Sequence, residues 1–164
     1  MLTPVVAERA AQPYVAIRAQ VTMQTMDDIL LPLQPQVFAW LGERGIPAAG
    51  PLFWKYNVID MDRVLEVEVG VPVAAPVDGD ARVVAGVLPP GRYATLRYTG
   101  HPDGMIGAIA SLREWASQEG LTWDMTSTPG GERWAARLES YETDPADEPD
   151  MTKWTTQLAF RLSD

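Results

Sequence analysis

Cysteine is absent from this 164-residue chain, and histidine occurs once, at His101. Without cysteine there is no disulfide, no thiolate nucleophile and no Cys-ligated zinc. A single histidine excludes a His-rich metal site and leaves no Ser–His–Asp set to assemble, so neither metal nor cofactor is expected. Long apolar runs are also missing. Nothing approaches the roughly 20 residues of a membrane-spanning helix. The opening MLTPVVAERAAQPYVAIRAQ lacks the basic-then-apolar order of a secretory signal, and a cytoplasmic protein is expected. Positive charge is scarce, with 13 Lys and Arg against 22 Asp and Glu and a formal charge of −9. Nucleic acid and anionic membrane surfaces are repelled by such a balance, whereas a cationic or neutral small molecule is readily accommodated.

What is present suits one soluble domain. The chain is 46% hydrophobic and 21% charged, and its length is enough to bury a core without staples. Strand-type alternation occurs over residues 14–21, 51–59, 64–73, 82–89, 92–100, 134–145 and 153–162. The cleanest stretch sets Leu65, Val67, Val69 and Val71 on one face, with Glu66 and Glu68 on the other. Two helices are predicted, over 27–44 and 103–119, from apolar residues at helical spacing ahead of a glycine stop. Pro32 and Pro35 make the start of the first irregular.

The two halves, about 1–80 and 81–164, repeat the order strand–helix–strand–strand. YVAIRA matches YATLRY, AWLGERGI matches EWASQEGL, FWKY (53–56) matches LESY (138–141), and LEVEVGVPV matches TTQLAFRLS. One helix per three strands covers only one sheet face. The expected fold is therefore a duplicated α+β domain: an antiparallel sheet with pseudo-twofold symmetry, helices on one face and a ligand groove between the halves. Alternation assigns Trp54 and Tyr56, and likewise Arg137, Glu139 and Tyr141, to the uncovered face, with Phe53, Trp134, Ala136 and Leu138 in the core. A one-residue slip inverts any of these assignments.

Glu139 beside Tyr141 is the strongest chemical signal. A carboxylate among aromatic rings is partly desolvated, which raises its pKa and suits it to accept a proton or hold a cation. A pair with Arg137 or with a cross-strand Lys or Arg explains it equally well. For Glu66 and Glu68 a solvated face suffices, although Glu68 is kept as a candidate lining residue. Six tryptophans exceed packing needs. Trp40 and Trp115 lie on helix stripes, while Trp54, Trp123, Trp134 and Trp154 lie on strands or strand ends, where they could line an aromatic cleft. His101, in TGHPDG, suits a helix-entry turn better than a catalytic base.

Set in order, AGVLPPGRYATLRYTGHPDGMIGAIASLREWASQEGL, GPLFWKYNVIDMDRVLEVEVGVPV, and LESYETDP followed by TTQLAFRL resemble the GyrI-like small-molecule-binding domains, also called the AraC-type effector-binding domain. The resemblance implies a groove for hydrophobic, flat or cationic aromatic small molecules, with Glu139 at its floor and Trp154 in its lining. It also implies a stand-alone member, since no helix-turn-helix fits before Tyr14. Roles in toxin or drug tolerance follow from it, by sequestration, by protecting DNA gyrase as a protein partner, or by hydrolysis of cyclopropane-containing DNA-alkylating natural products. In the last case Glu139 would activate water while Tyr141 donates to the oxygen that gains charge.

Overall fold

A computed structural model describes residues 3–163. The strands are β1 (Val5–Arg9), β2 (Gln12–Val21), β3 (Phe53–Ile59), β4 (Leu65–Pro72), β5 (Val84–Leu88), β6 (Gly91–Thr99), β7 (Met125–Thr128), β8 (Gly131–Trp134), β9 (Arg137–Tyr141) and β10 (Thr155–Arg161). They form one curled antiparallel sheet in the order β1-β6-β10-β9-β3-β4-β2-β5, and the β7–β8 hairpin attaches through β8 to β3. Helices α1 (Met26–Leu30) and α2 (Leu33–Glu43) pack on β2 and β4, and α3 (Met105–Gln118) packs on β6. This is the duplicated α+β architecture the repeat predicts.

The symmetry is visible in the strand order, because β5-β2-β4-β3 on one side mirrors β1-β6-β10-β9 on the other. The outermost strands are exchanged: β1 precedes β2 in the chain yet pairs with β6, and β5 precedes β6 yet pairs with β2. Each half thus supplies the edge strand of the other.

The first helical stretch is two helices because Pro32 sits at the junction, as the N-cap residue of α2. Pro35 falls within the first turn of α2, where a missing N–H costs no intrahelical bond. Ahead of α3, His101 caps a short 3₁₀ turn, its Nδ1 accepting from the Asp103 N–H at 3.0 Å. The β7–β8 hairpin turns at Gly131, whose φ of +114° a side chain rarely adopts. Neither this hairpin nor β1 is among the sequence-predicted strands.

Both sheet faces are apolar. Helix-facing residues include Val15, Ile17, Val67, Val69, Leu158 and Phe160, packed against Val37, Leu41, Ala108 and Leu112. The opposite face buries Tyr14, Ala16, Phe53, Leu88, Tyr93, Ala136, Leu138 and Ala159. One expectation is overturned here. Trp54 joins the helix-side core and Phe53 the other, so Trp54, Tyr56, Arg137, Glu139 and Tyr141 point toward the helices, not away from them. Trp134 also separates from Ala136 and Leu138, because the chain leaves β8 at Trp134 and enters β9 at Arg137, and strand alternation does not carry across that break.

Candidate functional site

The two halves meet at β3 and β9, where Trp54 lies directly opposite Glu139. Residues two positions further along each strand, Tyr56 and Tyr141, are related by the pseudo-twofold and flank that pair. Glu139 is only 5% exposed. The Tyr56 hydroxyl donates to its Oε2, and the Tyr141 ring meets Trp54 edge-on at 5.5 Å between centroids, with an interplanar angle of 80°. Trp54 is held in turn by its indole N–H, which donates to Gln34 Oε1 of α2 at 3.0 Å. The first-half helix therefore fixes one wall of the seam.

Electrostatics at this seam follow from burial. Desolvation pushes the Glu139 carboxyl above its ordinary value, against the opposing effects of the Tyr56 hydrogen bond, the Arg137 charge and the Tyr141 phenol. None of the ion pairs among the described residues involves Glu139. Both phenols are raised, first by burial and then by the neighbouring Glu139 charge, so they stay protonated donors at neutral pH. Arg137, beside them on β9, lays its guanidinium over the Phe160 ring at 4.5 Å and the Trp134 ring at 4.9 Å.

Of the sequence-predicted site residues, the fold brings together Trp54, Tyr56, Glu139 and Tyr141. Trp123 and Trp134 instead pack with Phe160 at 5.6–5.8 Å between centroids, an aromatic cluster of the helix-side core. Trp154 stands half-buried just before β10, its indole N–H donating to the Glu148 carbonyl at 2.7 Å. Glu68 is separated from Glu139 by the sheet itself. It is 1% exposed, not on a solvated face. Its Oε1 accepts from Tyr14 at 2.7 Å, its Oε2 accepts from Asn57, and Lys55 and Arg18 each lie 3.6 Å away. Burial pushes Glu68 up, but those hydrogen bonds and two cations outweigh it and hold the carboxyl below its ordinary value. The two buried glutamates thus differ in balance: two hydrogen bonds and two cations at 3.6 Å outweigh burial at Glu68, whereas burial outweighs the Tyr56 hydrogen bond and the Arg137 charge at Glu139. Sequence reading did not find Gln34 or the nearby Asp27, whose charge reaches both phenols, because neither is tied to the strands until α1 and α2 dock.

The profile of the GyrI-like small molecule binding domain matches residues 3–157, and the chain belongs to that family. The fold is similar to the EcmrR C-terminal domain, at TM-score 0.72 and 16% identity over 100% of this chain and 99% of that one. Against EcmrR in its complex with DNA the TM-score is 0.75, and this chain spans 58% of that protein's length. SAV2435 bound to tetraphenylphosphonium is similar at TM-score 0.67 and 12% identity, covering 98% of this chain and 94% of that one. A hydrolase encoded by lin2189 from Listeria innocua is similar at TM-score 0.62 and 14% identity, covering 98% and 91%. Among curated proteins there is no match. No helix among the described residues is long and apolar enough to cross a membrane.

Proposed function

We propose that this chain binds hydrophobic, flat or cationic aromatic small molecules at the seam between its halves, on the helix-facing side, for tolerance of a toxin or drug. The observation that carries the reading is Glu139, a carboxylate 5% exposed, hydrogen-bonded by a phenol and lacking an ion pair. A buried carboxylate whose nearest cation, Arg137, makes no ion pair with it and does not offset its burial is costly to maintain for stability alone. A ligand cation supplies the direct ion pair that Glu139 lacks, and the rings of Trp54, Tyr56 and Tyr141 offer faces that attract cations and flat apolar surfaces. The similarity to SAV2435 bound to tetraphenylphosphonium supports the same ligand class. Because Glu139 is nearly inaccessible, a ligand must displace part of the cover that α1 and α2 provide.

Trp54 serves as the reporter. Titration with tetraphenylphosphonium is expected to give a saturable change in tryptophan emission, most of which disappears in Trp54→Phe. An unchanged spectrum across tetraphenylphosphonium and a panel of planar cationic dyes defeats the proposal.

A second reading, hydrolysis of a strained cyclopropane conjugated with a carbonyl, is favoured by one feature: two protonated phenols beside a carboxylate of raised pKa. Glu139 would take a proton from water as the water oxygen bonds to a ring carbon. The ring C–C bond breaks toward the carbonyl oxygen, which takes a proton from Tyr141, and the proton held by Glu139 restores the phenol. The net change is addition of one water. Mass analysis for that adduct tests it, and turnover that persists in both Glu139→Gln and Tyr141→Phe removes these residues from the chemistry. Gyrase protection rests on the family resemblance alone.

A further inference from the structure

The sheet face that no helix covers carries a concavity of about 390 Å³, on the far side of the sheet from Glu139. Strand β9 divides the two sites: Leu138 and Ser140 line this concavity, while Glu139 between them points to the other face. Its floor is rigid and aromatic. Phe53 lies over Gly70 so closely that a Cβ there would stand 2.7 Å from the ring, and the Phe53 and Tyr14 rings meet edge-to-face at 5.4 Å between centroids. Tyr93 and Leu88 complete the apolar wall, with the Tyr93 hydroxyl tied back to the Pro89 carbonyl at 2.6 Å.

The charge of this lining is anomalous for the chain. The protein has 22 acidic residues, yet among the described residues no carboxylate lines the concavity, and the one charged side chain that does is Arg9. The Arg9 guanidinium rests 5.4 Å from the Tyr93 ring centroid and takes part in no ion pair or hydrogen bond among the described residues. Burial lowers its pKa from the usual arginine value, in keeping with a cation short of both water and counter-ion. Ser140 and Gln157, cross-strand partners on β9 and β10, turn half-buried polar side chains into the same space. Neither side chain has a hydrogen-bond partner among the described residues.

An unneutralised guanidinium, a free hydroxyl, a free amide and an apolar aromatic floor share one complement. We infer that this concavity is a second ligand site, for a small carboxylate with an aromatic or branched aliphatic body. Arg9 takes the carboxylate in a charge-assisted, bidentate contact. Ser140 and Gln157 orient it, and the body lies against Phe53, Leu138 and Tyr93. The volume is at the small end of ligand pockets, which selects acids of one or two rings. This site does not depend on the reading of Glu139, and the two ligand charges are opposite.

Calorimetric titration with 2-naphthoate, benzoate and a branched aliphatic acid tests the inference, with 2-naphthylmethanol as the uncharged control. At least one acid is expected to bind, and the alcohol is expected to bind at least tenfold more weakly, about the loss of one charge-assisted contact. Arg9→Gln is expected to abolish the difference between acid and alcohol. Ser140→Ala, which keeps Arg9, is expected to weaken the acid by a smaller factor, and both variants are checked for unchanged melting. Glu139→Gln should leave acid binding intact, and backbone amide shifts should centre on β1, β6, β9 and β10. Absence of binding by all three acids, or an acid preference that survives Arg9→Gln in the folded variant, overturns the assignment.

Discussion

Glu139→Gln is expected to weaken tetraphenylphosphonium binding by about 30- to 150-fold, the effect of losing roughly 2–3 kcal/mol of buried charge pairing. The same substitution is expected to make the free protein more resistant to urea at neutral pH. Both effects come from one cause. The carboxylate is almost fully buried and its hydrogen bonds do not offset its desolvation, so its pKa is raised above 4.5. Between the ordinary carboxylate value and the raised one, the folded chain binds more protons than the unfolded chain, and stability falls as pH rises. Wild type and variant should therefore converge in stability at acid pH and diverge as pH climbs from the ordinary carboxylate value to the raised one. Affinity for the cation runs the other way, increasing with pH as the carboxylate ionises. Urea unfolding and ligand titration over the same pH series measure both trends. Binding by the glutamine variant as tight as wild type removes Glu139 from the site, and a stability gap that widens toward acid pH contradicts a carboxylate whose burial outweighs its partners.

Glu68→Ala should do the opposite. A loss of about 3–5 kcal/mol is expected, because removing one partner of a buried ionic network leaves the others charged and unsatisfied. For a chain of this size that corresponds to a fall in melting temperature on the order of 10 °C. The groups left behind would be Lys55, 8% exposed and keeping its hydrogen bond to Asn57 but losing its buried counter-ion, and Tyr14, 6% exposed, whose hydroxyl loses its acceptor. Lys55 already has a lowered pKa, chiefly from burial and against the pull of Glu68. The pH dependence again follows from direction. The Glu68 carboxyl is held below its ordinary value in the fold, so its contribution is present above that value and is lost as pH falls through the lower, folded one. Glu68→Gln, which keeps an acceptor for Tyr14, should be less damaging than Glu68→Ala. Tetraphenylphosphonium binding should be unchanged in the glutamine variant, since Glu68 lies across the sheet from Glu139. Thermal and urea unfolding read the first effect. A change within about 0.5 kcal/mol, the ordinary range for a surface site, would show that the network is not holding this face.

Alternation and the repeat place Trp54 opposite Glu139 and Tyr56 opposite Tyr141; the first pairing holds and the second does not, because the antiparallel register sets Tyr141 beside Leu52. FWKY and LESY occupy corresponding strands, and in the fold Trp54 and Glu139 are cross-strand partners. Tyr56 and Tyr141 follow on the same face because side chains two apart on a strand point the same way. The two helices, the glycine stop at Gly120 (φ +69°) and the turn role of His101 were legible for similarly local reasons. The β7–β8 hairpin was missed, since TPGGERW offers turn residues but strands of only four residues each. Glu68 was misread as solvated because its compensating groups come from β2 and β3, at sequence distances no local pattern spans.

Which face those pairs occupy was never in the pattern. Strand alternation has a period of two and is unchanged when the faces are exchanged, so it groups residues without orienting them. Orientation needs one face to be visibly polar, and here both carry large apolar side chains, Trp54 and Phe160 on one, Phe53 and Tyr93 on the other. The sequence by itself determined the duplicated α+β fold, the seam, and the company Glu139 keeps. Only the tertiary structure decided that this company faces the helices, through the docking of α2 that brings Gln34 to Trp54. It also decided that Glu68 is neutralised on the other face, and that β1 carries Arg9 across to Tyr93 of the other half, at a concavity lined by both halves. Each of these depends on contacts between distant segments, which burial and charge compensation select and local periodicity does not encode.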